Sequence, residues 1–163
     1  MKNNKLVFKK IAVKLCKKVP KTIGIMGYGK EDHAKKLAKS AAKLKKTAFL
    51  NFTKMENYGL KDYSSMVIKN ENLGIVNISF DNDIGNLINS LEFKDFYEKL
   101  KRDYDLILVN ETEDDSLSYL MAGYDDEKLY LVKEEKTKRN EFEKLKDEFS
   151  KLSCPIKGVV YYI

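Results

Sequence analysis

The 163-residue chain contains no tryptophan, one histidine, two cysteines and two prolines. A single histidine, His33, excludes a metal site built from several histidines. Cys16 and Cys154 have no metal-type spacing, so we expect them to be buried, reduced thiols of a cytoplasmic protein. No apolar run is long enough to span a bilayer, and the lysine-rich residues 1–18 lack the uncharged apolar segment of a secretory signal. With 43% hydrophobic and 34% charged residues, these absences favour a globular cytoplasmic domain.

Arginine is also scarce, and the positive charge is concentrated at one end of the chain. Residues 1–46 hold fifteen lysines against Glu31 and Asp32, a net charge of +13, so the rest carries −7 of the total of +6. A basic face fits an anionic partner such as a membrane, a nucleic acid or an acidic neighbouring subunit. A genomic bias toward lysine codons fits the composition equally well. The candidate interaction residues are Lys9, Lys10, Lys14, Lys17 and Lys18.

Apolar runs the length of strands alternate with helical patterns along the chain. The runs are mostly continuous, as in parallel strands covered on both faces, and lie at 22–26, 47–50, 74–80, 106–109, 129–132 and 156–163. Helical periodicity is present at 32–46, 84–102 and 136–152. This alternation predicts one α/β domain over residues 1–163, a three-layer α/β/α, Rossmann-like fold with a mainly parallel sheet of about six strands.

A basic amphipathic helix is predicted within residues 1–20, before the α/β core of residues 21–163. Leu6, Ile11, Leu15 and Val19 lie at adjoining helical positions, and lysines fill much of the rest. Such a helix either packs on the core or on a neighbouring subunit, or lies on an anionic membrane surface. The first alternative is favoured because many helices of globular proteins have this pattern.

The segment after the first predicted strand has the layout of a phosphate-binding loop. Gly24, Gly29 and Lys30 match the pattern G-x-x-x-x-G-K, but Gly24 is expected within the strand, which leaves Gly27 and Gly29 to form the turn. The position that would hold magnesium through Ser or Thr is Glu31, and Asp32, a candidate helix N-cap, follows it. Carboxylates at this helix start repel a triphosphate. We therefore expect a vestigial phosphate loop comprising Gly27, Gly29, Lys30, Glu31 and Asp32.

The ends of two further strands carry asparagine where a nucleotide-hydrolysing enzyme of this layout would carry aspartate. Asn51 ends the run "TAFLN", and Asn110 ends "YDLILVN". An amide retains an oxygen but lacks the charge that holds a hard cation. We therefore assign no catalytic residue and no metal ligand. A relocated metal site in the acidic segment Glu111–Asp115 is the less favoured alternative to a solvated loop.

These motifs resemble the cytoplasmic tyrosine kinases of bacterial capsule and exopolysaccharide biosynthesis, the CpsD/CapB type, within the MinD/ParA-like P-loop group. "PKTIGI", Gly29-Lys30 and "KKLAKSAAKLKKTAFLN" occupy the places of the family's strand, loop and helix. The most specific stretch is "IGNLINSLEFKDFYEKLKRDYDLILVN", where Leu87, Ser90, Phe93, Leu100, Tyr104 and Asp105 are in step with the family pattern. The resemblance covers nearly the whole chain.

The departures from the family pattern fall at the chemical positions. Beyond the loop and the two asparagines, the family's E-x-x-R-x-x-R assembly helix aligns with Leu6, Lys9 and Ala12, and the tyrosine-rich C-terminal tail is missing. The resemblance thus implies a catalytically inactive, kinase-like scaffold or regulator in polysaccharide biosynthesis. The alternatives are an active ATPase or tyrosine kinase with altered magnesium ligation, and a MinD/ParA-like membrane-surface or DNA binder.

The expected cofactor and partners follow from this assignment. Binding of ATP and magnesium should be weak or absent, although the loop retains enough glycine to hold a smaller anion. The expected partner is a protein, either a membrane-bound polysaccharide co-polymerase or an active paralogue, and self-association is an alternative. Nucleic acid is a less favoured partner, and contact with a membrane would be peripheral. We expect a cytoplasmic location, with any membrane association made through a partner or the N-terminal helix.

Overall fold

The computed structural model describes residues 2–17, 22–28, 31–54, 60, 63–80, 83–112, 114–133 and 136–162, and it contains a seven-stranded sheet with helices on both faces. The strands are β1 (Thr22–Gly27), β2 (Thr47–Lys54), β3 (Val67–Asn70), β4 (Leu73–Phe80), β5 (Leu106–Asn110), β6 (Glu127–Lys133) and β7 (Ile156–Tyr162). The helices are α1 (Lys2–Lys17), α2 (Glu31–Ala41), α3 (Tyr63–Met66), α4 (Ile84–Asn89), α5 (Leu91–Asp103), α6 (Asp115–Met121) and α7 (Arg139–Lys151). The predicted three-layer, mainly parallel α/β fold is confirmed.

The strand order is β3-β4-β2-β5-β1-β6-β7, which places β1 inside the sheet between β5 and β6. All pairings are parallel except that of β3 with β4. All six predicted runs are strands, and the additional strand is the short antiparallel edge β3. Because the strands around β1 are parallel, the segments after β1, β2 and β5 lie at the same carboxyl edge, where open α/β sheets bind ligands.

Successive residues of the central strands contribute to two different cores. Leu50 and Phe52 of β2 pack with α4, α5 and α6, whereas Phe49 packs with α1 and α2 on the opposite face. A third apolar cluster lies between β6 and α7 and includes Phe149 and the buried thiol of Cys154. Cys16 is only half-buried, so the prediction of two buried thiols holds for Cys154 alone.

Helix α1 packs on the sheet beside α2. Its apolar stripe is covered, since Phe8, Ala12 and Leu15 are at most 6% exposed and share a core with β6, β7 and α2. The side chains of Lys9, Lys10, Lys14 and Lys17 on α1 are exposed instead. Together with Lys36 and Lys39 of α2 they form a surface that we call the basic surface. Phe8, Ala12 and Leu15 are therefore used by the fold, while the predicted stripe residues Leu6 and Val19 lie outside the described side chains.

Two predicted helices differ from the observed ones. The pattern at 84–102 predicted one helix, but the chain forms α4 and α5 with Ser90 between them in an extended conformation. The Ser90 hydroxyl accepts a hydrogen bond from the Phe93 N–H at 3.1 Å and donates one to the Leu87 carbonyl at 2.7 Å, so one side chain ends α4 and begins α5. The helix predicted to reach residue 46 ends at Ala41, and Leu44, predicted on its apolar side, is 52% exposed.

The short helices α3 and α6 and the strand β3 were not predicted, because four to seven residues carry too little periodicity to be distinguished from a loop. Within the described ranges, no helix is long and apolar enough to cross a membrane. Lys18, Gly29, Lys30 and Glu113 lie outside the described residues.

We predict that Leu15→Ala lowers the free energy of unfolding by about 2–4 kcal/mol, because it leaves a cavity between α1 and the sheet. Val7→Ala is the matched control on the same helix, since Val7 is 40% exposed, and it should cost no more than about 0.5 kcal/mol. Urea denaturation followed by far-UV circular dichroism measures both. Equal, small effects of the two substitutions would contradict the packing of α1 on the core.

Candidate functional site

The loop after β1 turns sharply at Gly27. Its φ of +94° favours glycine, and a Cβ there would lie 2.5 Å from the Leu131 carbonyl oxygen of β6. The following Tyr28 N–H donates to that carbonyl at 3.0 Å, so the turn is fixed to β6. As predicted, Gly27 and Glu31 lie at the carboxyl end of a central strand.

The start of α2 carries the two predicted carboxylate residues. Glu31 is the first helical residue and Asp32 the second, so Asp32 is not the N-cap that the sequence suggested. Asp32 is exposed in the first turn, where the positive end of the helix dipole stabilises it. This charge occupies the end of the helix that would otherwise attract a phosphate.

The two predicted vestigial asparagines are brought together, and a third joins them. Asn51 of β2 is in register with Asn77 of β4 on one side and with Asn110 of β5 on the other. The Asn110 side-chain N–H donates to the Asn51 oxygen at 2.9 Å, and the Asn51 N–H donates to the Asn77 oxygen at 3.2 Å. We call this row of amides across three strands the asparagine ladder. It faces the α1/α2 side of the sheet, with Asn51 and Asn110 buried.

The ladder has its hydrogen-bonding groups largely satisfied internally. The Thr112 hydroxyl donates to the Asn110 oxygen at 2.9 Å, and the Asn51 N–H also reaches the Thr53 hydroxyl at 3.4 Å. A row of mutually bonded neutral amides attracts a hard divalent cation far more weakly than carboxylates do. Sequence reasoning missed Asn77, although a polar residue inside the continuous apolar run "GIVNISF" was a signal for it.

Glu111, the residue after the ladder, belongs to a buried ionic cluster on the opposite face. The Lys128 ammonium donates to both Glu111 oxygens at 2.7 and 2.8 Å and to Asp125 at 2.6 Å, and all three side chains are fully buried. The Tyr97 hydroxyl donates to Asp125 at 3.4 Å. The prediction that Glu111 lies in a solvated acidic loop is therefore wrong, because its charge is compensated inside the fold.

This cluster requires the glycine at position 24. Gly24 lies within β1, as predicted, paired with Val109 and Lys128. A Cβ at Gly24 would lie 2.4 Å from a Glu111 oxygen and 2.6 Å from an Asp125 oxygen. Gly24 therefore makes room for buried charge beneath the strand and is not part of the phosphate-loop turn.

Burial shifts the pKa values of the cluster. The pKa of Glu111 is raised well above its usual 4.5, because burial and the neighbouring Asp125 outweigh the attraction of Lys128. The Tyr97 phenol, also fully buried beside these carboxyls, has its pKa raised too, first by burial and then by Asp125. The buried position of Glu111 beside Asp125 therefore favours the protonated form of its carboxyl more than exposure to water would.

The rest of the acidic segment does not gather into a metal site in the described part of the chain. Asp114 caps α6, because its carboxylate accepts hydrogen bonds from the Ser116 hydroxyl and backbone N–H, which lower the Asp114 pKa. Asp115 is exposed, and Glu113 lies outside the described residues. Among the described residues, no group of three or more His, Cys, Asp or Glu side chains has a metal-binding arrangement.

The fold is similar to that of bacterial tyrosine kinase domains and of plasmid partition proteins. The chimerical protein CapA2B2 is similar with a TM-score of 0.77 at 20% identity, over 94% of this chain and 82% of its own. The kinase domain of VpsO is similar with a TM-score of 0.77 at 14% identity, over 98% and 96%. A plasmid partition protein from Borrelia burgdorferi is similar with a TM-score of 0.63 at 16% identity, over 87% and 78%.

Tyrosine kinase domains recur among the matching structures. No protein-family model and no curated protein matches the sequence. At identities this low, the likeness establishes the fold, and function has to be argued from the site itself.

We predict that the buried cluster makes stability fall as pH rises. The folded-state pKa of Glu111 is raised, so its stabilising contribution is fully present below its unfolded pKa near 4.5 and is lost as pH rises through the folded pKa. Glu111→Gln keeps an acceptor for Lys128 without the titration, so its unfolding free energy should vary less between about pH 5 and about pH 8. Urea denaturation across this range is the measurement.

The control for this prediction is Glu98→Gln on α5, where the carboxylate is exposed and pairs only with Lys101 across the surface. It should leave the pH dependence of the wild type unchanged. Parallel pH profiles of the wild type and Glu111→Gln would contradict a titrating carboxyl at position 111.

Proposed function

We propose that this protein is a non-catalytic relative of bacterial tyrosine kinase domains that acts through protein–protein contact in a cell-envelope polysaccharide system. The observation that supports it best is the asparagine ladder. Three neutral side chains, Asn51, Asn77 and Asn110, are bonded to one another, and two of them occupy positions where magnesium-dependent chemistry of this layout would use carboxylates. Asn110 ends β5 as expected, whereas Asn51 lies three residues before the end of β2, so the expectation that Asn51 ends its strand is wrong. The assignment to polysaccharide biosynthesis rests on the sequence resemblance to the CpsD/CapB type.

The charge at the start of α2 supports the same proposal. Phosphoryl transfer depends on positive groups around the phosphates, and here Glu31 and Asp32 add negative charge at the first turn of the helix that follows the loop. Like charges a few ångströms apart cost several kcal/mol at intermediate dielectric. The missing cation ligands and the added carboxylates act in the same direction, against nucleotide.

The rival proposal of an active ATPase or tyrosine kinase used Lys30 and the segment Glu111–Asp115. Glu111 is committed to Lys128 within the core, and Asp114 to capping α6. Among the described residues of this segment, Asp115 is the exposed carboxylate that does not cap a helix. One carboxylate is a weak basis for magnesium ligation. The inactive scaffold is therefore the better-supported function.

The basic surface is the proposed site of contact. Its six lysines lie on the adjacent helices α1 and α2, on the face of the sheet away from α4–α7. Asp32 on α2 contributes an exposed negative charge to the same two helices. We assign the basic surface to contact with an acidic protein surface, either on a partner or on a second copy of this chain. The competing partners, an anionic membrane and DNA, would be held by the same charges.

The first prediction from this proposal concerns nucleotide. Magnesium-ATP should bind with a dissociation constant above about 1 mM, because neither the ladder nor the start of α2 favours the complex. Isothermal titration with ATP and ADP, with and without magnesium, tests this, and the VpsO kinase domain serves as the comparison protein. Binding in the micromolar range would refute the proposal.

A pair of variants tests whether the ladder is the cause. Asn51→Asp with Asn110→Asp places two carboxylates side by side, so magnesium should raise the melting temperature of this variant but not of the wild type. Asn89→Asp with Asn140→Asp makes the same change at two exposed helical positions and is the matched control. A magnesium effect equal in both pairs would show that the added charge, and not its position, is responsible.

The second prediction concerns the basic surface. The protein should self-associate, or bind an acidic protein partner, at ~0.1 M salt and dissociate near ~1 M, where the Debye length falls from ~10 Å to ~3 Å. Sedimentation velocity measures this, alongside flotation with liposomes containing phosphatidylglycerol and a gel shift with duplex DNA. A monomer at every salt concentration that floats with the liposomes would replace the protein partner by a membrane.

Matched sets of substitutions to glutamine locate the contact. Substitution of four exposed lysines of α1 should abolish the salt-sensitive association, whereas substitution of four exposed lysines in α7 and at its N-cap should preserve it. The first set is Lys9, Lys10, Lys14 and Lys17, and the second is Lys138, Lys144, Lys146 and Lys151. Equal losses in the two sets would mean that net charge alone, and not the basic surface, drives association.

A further inference from the structure

A cavity of about 450 Å³ opens between the carboxyl ends of β1 and β6 and the helices α6 and α7. Its volume is that of a small-ligand site. The aromatic side chains Tyr28, Tyr119 and Tyr130 line it, with Asp115 and Glu141 also on its wall. The asparagine ladder lies on the other face of the sheet, and its three asparagines do not line this cavity. We call it the tyrosine cavity.

Two of the three tyrosine rings, Tyr119 and Tyr130, are held in place by contacts outside the cavity. The backbone of Tyr28 is fixed to β6 by the hydrogen bond that follows the Gly27 turn. The Tyr119 hydroxyl donates to a Glu148 oxygen at 2.6 Å. The Tyr130 ring packs on Phe142 of α7 with its centroid 5.1 Å away. Rings that are already ordered lose little conformational entropy when a ligand contacts them.

Two carboxylates, Asp115 and Glu141, lie on the wall of the cavity, and the Lys138 ammonium pairs with one Glu141 oxygen at 3.3 Å from the start of α7. Burial raises the pKa of the Tyr130 phenol, and Tyr28, Asp115 and Glu141 raise it further, so both carboxylates act on the space beside that ring. No lysine or arginine of the described residues is among the lining side chains. Ring faces and carboxylates both attract cations, whereas a phosphate would be repelled.

We propose that the tyrosine cavity binds an organic cation, a guanidinium or alkylammonium group on a short apolar stem. The cation contacts the faces of the tyrosine rings and is paired by Asp115 and Glu141, while the stem packs on apolar lining such as Leu145. A free amine and an arginine or lysine side chain of a partner protein present the same chemistry. This site goes beyond the proposed function, which depends on the basic surface and the ladder and not on this cavity.

The experiment titrates the whole chain with agmatine and with the peptide acetyl-Gly-Arg-Gly-amide, followed by calorimetry and by proton NMR of the ligand. We expect a dissociation constant of about 1 mM or tighter and upfield ring-current shifts of the methylene protons next to the cation. The matched peptide with citrulline in place of arginine lacks the charge and should bind at least about tenfold more weakly. Tighter binding of agmatine identifies a free amine as the ligand, tighter binding of the peptide identifies a protein side chain, and either supports the site.

Two pairs of variants separate the cavity from surface charge in general. Asp115→Asn with Glu141→Gln should weaken binding at least about tenfold, whereas Asp95→Asn with Glu98→Gln, exposed on α5, should change it less than about twofold. Tyr28→Ala should remove the ring-current shifts, and Tyr161→Ala on the edge strand β7 should not; these rings are 41% and 75% exposed, so truncation spares the core.

Four results would each overturn the proposal. They are the absence of ligand shifts at ~10 mM probe, equal losses in the two acid pairs, equal binding of the citrulline peptide, and binding of adenosine in competition with agmatine. The last result would make the cavity a nucleoside site. Because the magnesium-ATP titration and the lysine variants test the proposed function separately, failure here leaves that proposal standing, and its failure leaves this one intact.

Discussion

The parallel register of β1, β2, β4 and β5 is the constraint on which the rest of this structure depends. Hydrogen bonding between these strands puts Asn51, Asn77 and Asn110 side by side, although they lie far apart in sequence. The same register brings the turn at Gly27 to the carboxyl edge beside them. To this edge the three asparagines contribute neutral amides that are bonded to one another.

Because successive side chains point to opposite faces of the sheet, the asparagine ladder and the buried ionic cluster lie on different faces although they contain neighbouring residues. Asn110 faces α1 and α2, whereas Glu111 turns to the other face and meets Lys128 above Gly24. Taking Glu111 away from Lys128 would leave a buried ammonium with one fewer partner, which is strongly destabilising. The ionic cluster therefore holds Glu111 in the core, away from solvent. The acid nearest to the ladder is thereby withdrawn from ligand chemistry, and the glycine that matched the phosphate-loop pattern serves the core.

Charge follows the same division of the fold. Helices α1 and α2 pack their apolar residues on one face of the sheet, so the lysines of the basic surface point outward. On the opposite face, near the carboxyl edge, Asp115 and Glu141 line the tyrosine cavity. The basic surface and the tyrosine cavity, the two contact sites that we propose, therefore lie on different sides of one small domain.

The amino-acid sequence by itself determined the fold class, the six main strands, the position of the loop after β1 and the amide character of Asn51 and Asn110. These follow from local composition and periodicity, which neighbouring residues alone specify. Tertiary structure decided the break at Ser90, the burial of Glu111, the role of Gly24 and the joining of Asn77 to the ladder. Each of these depends on which distant side chain lies opposite, because only the packed sheet brings Lys128 to Glu111 and β4 to β2.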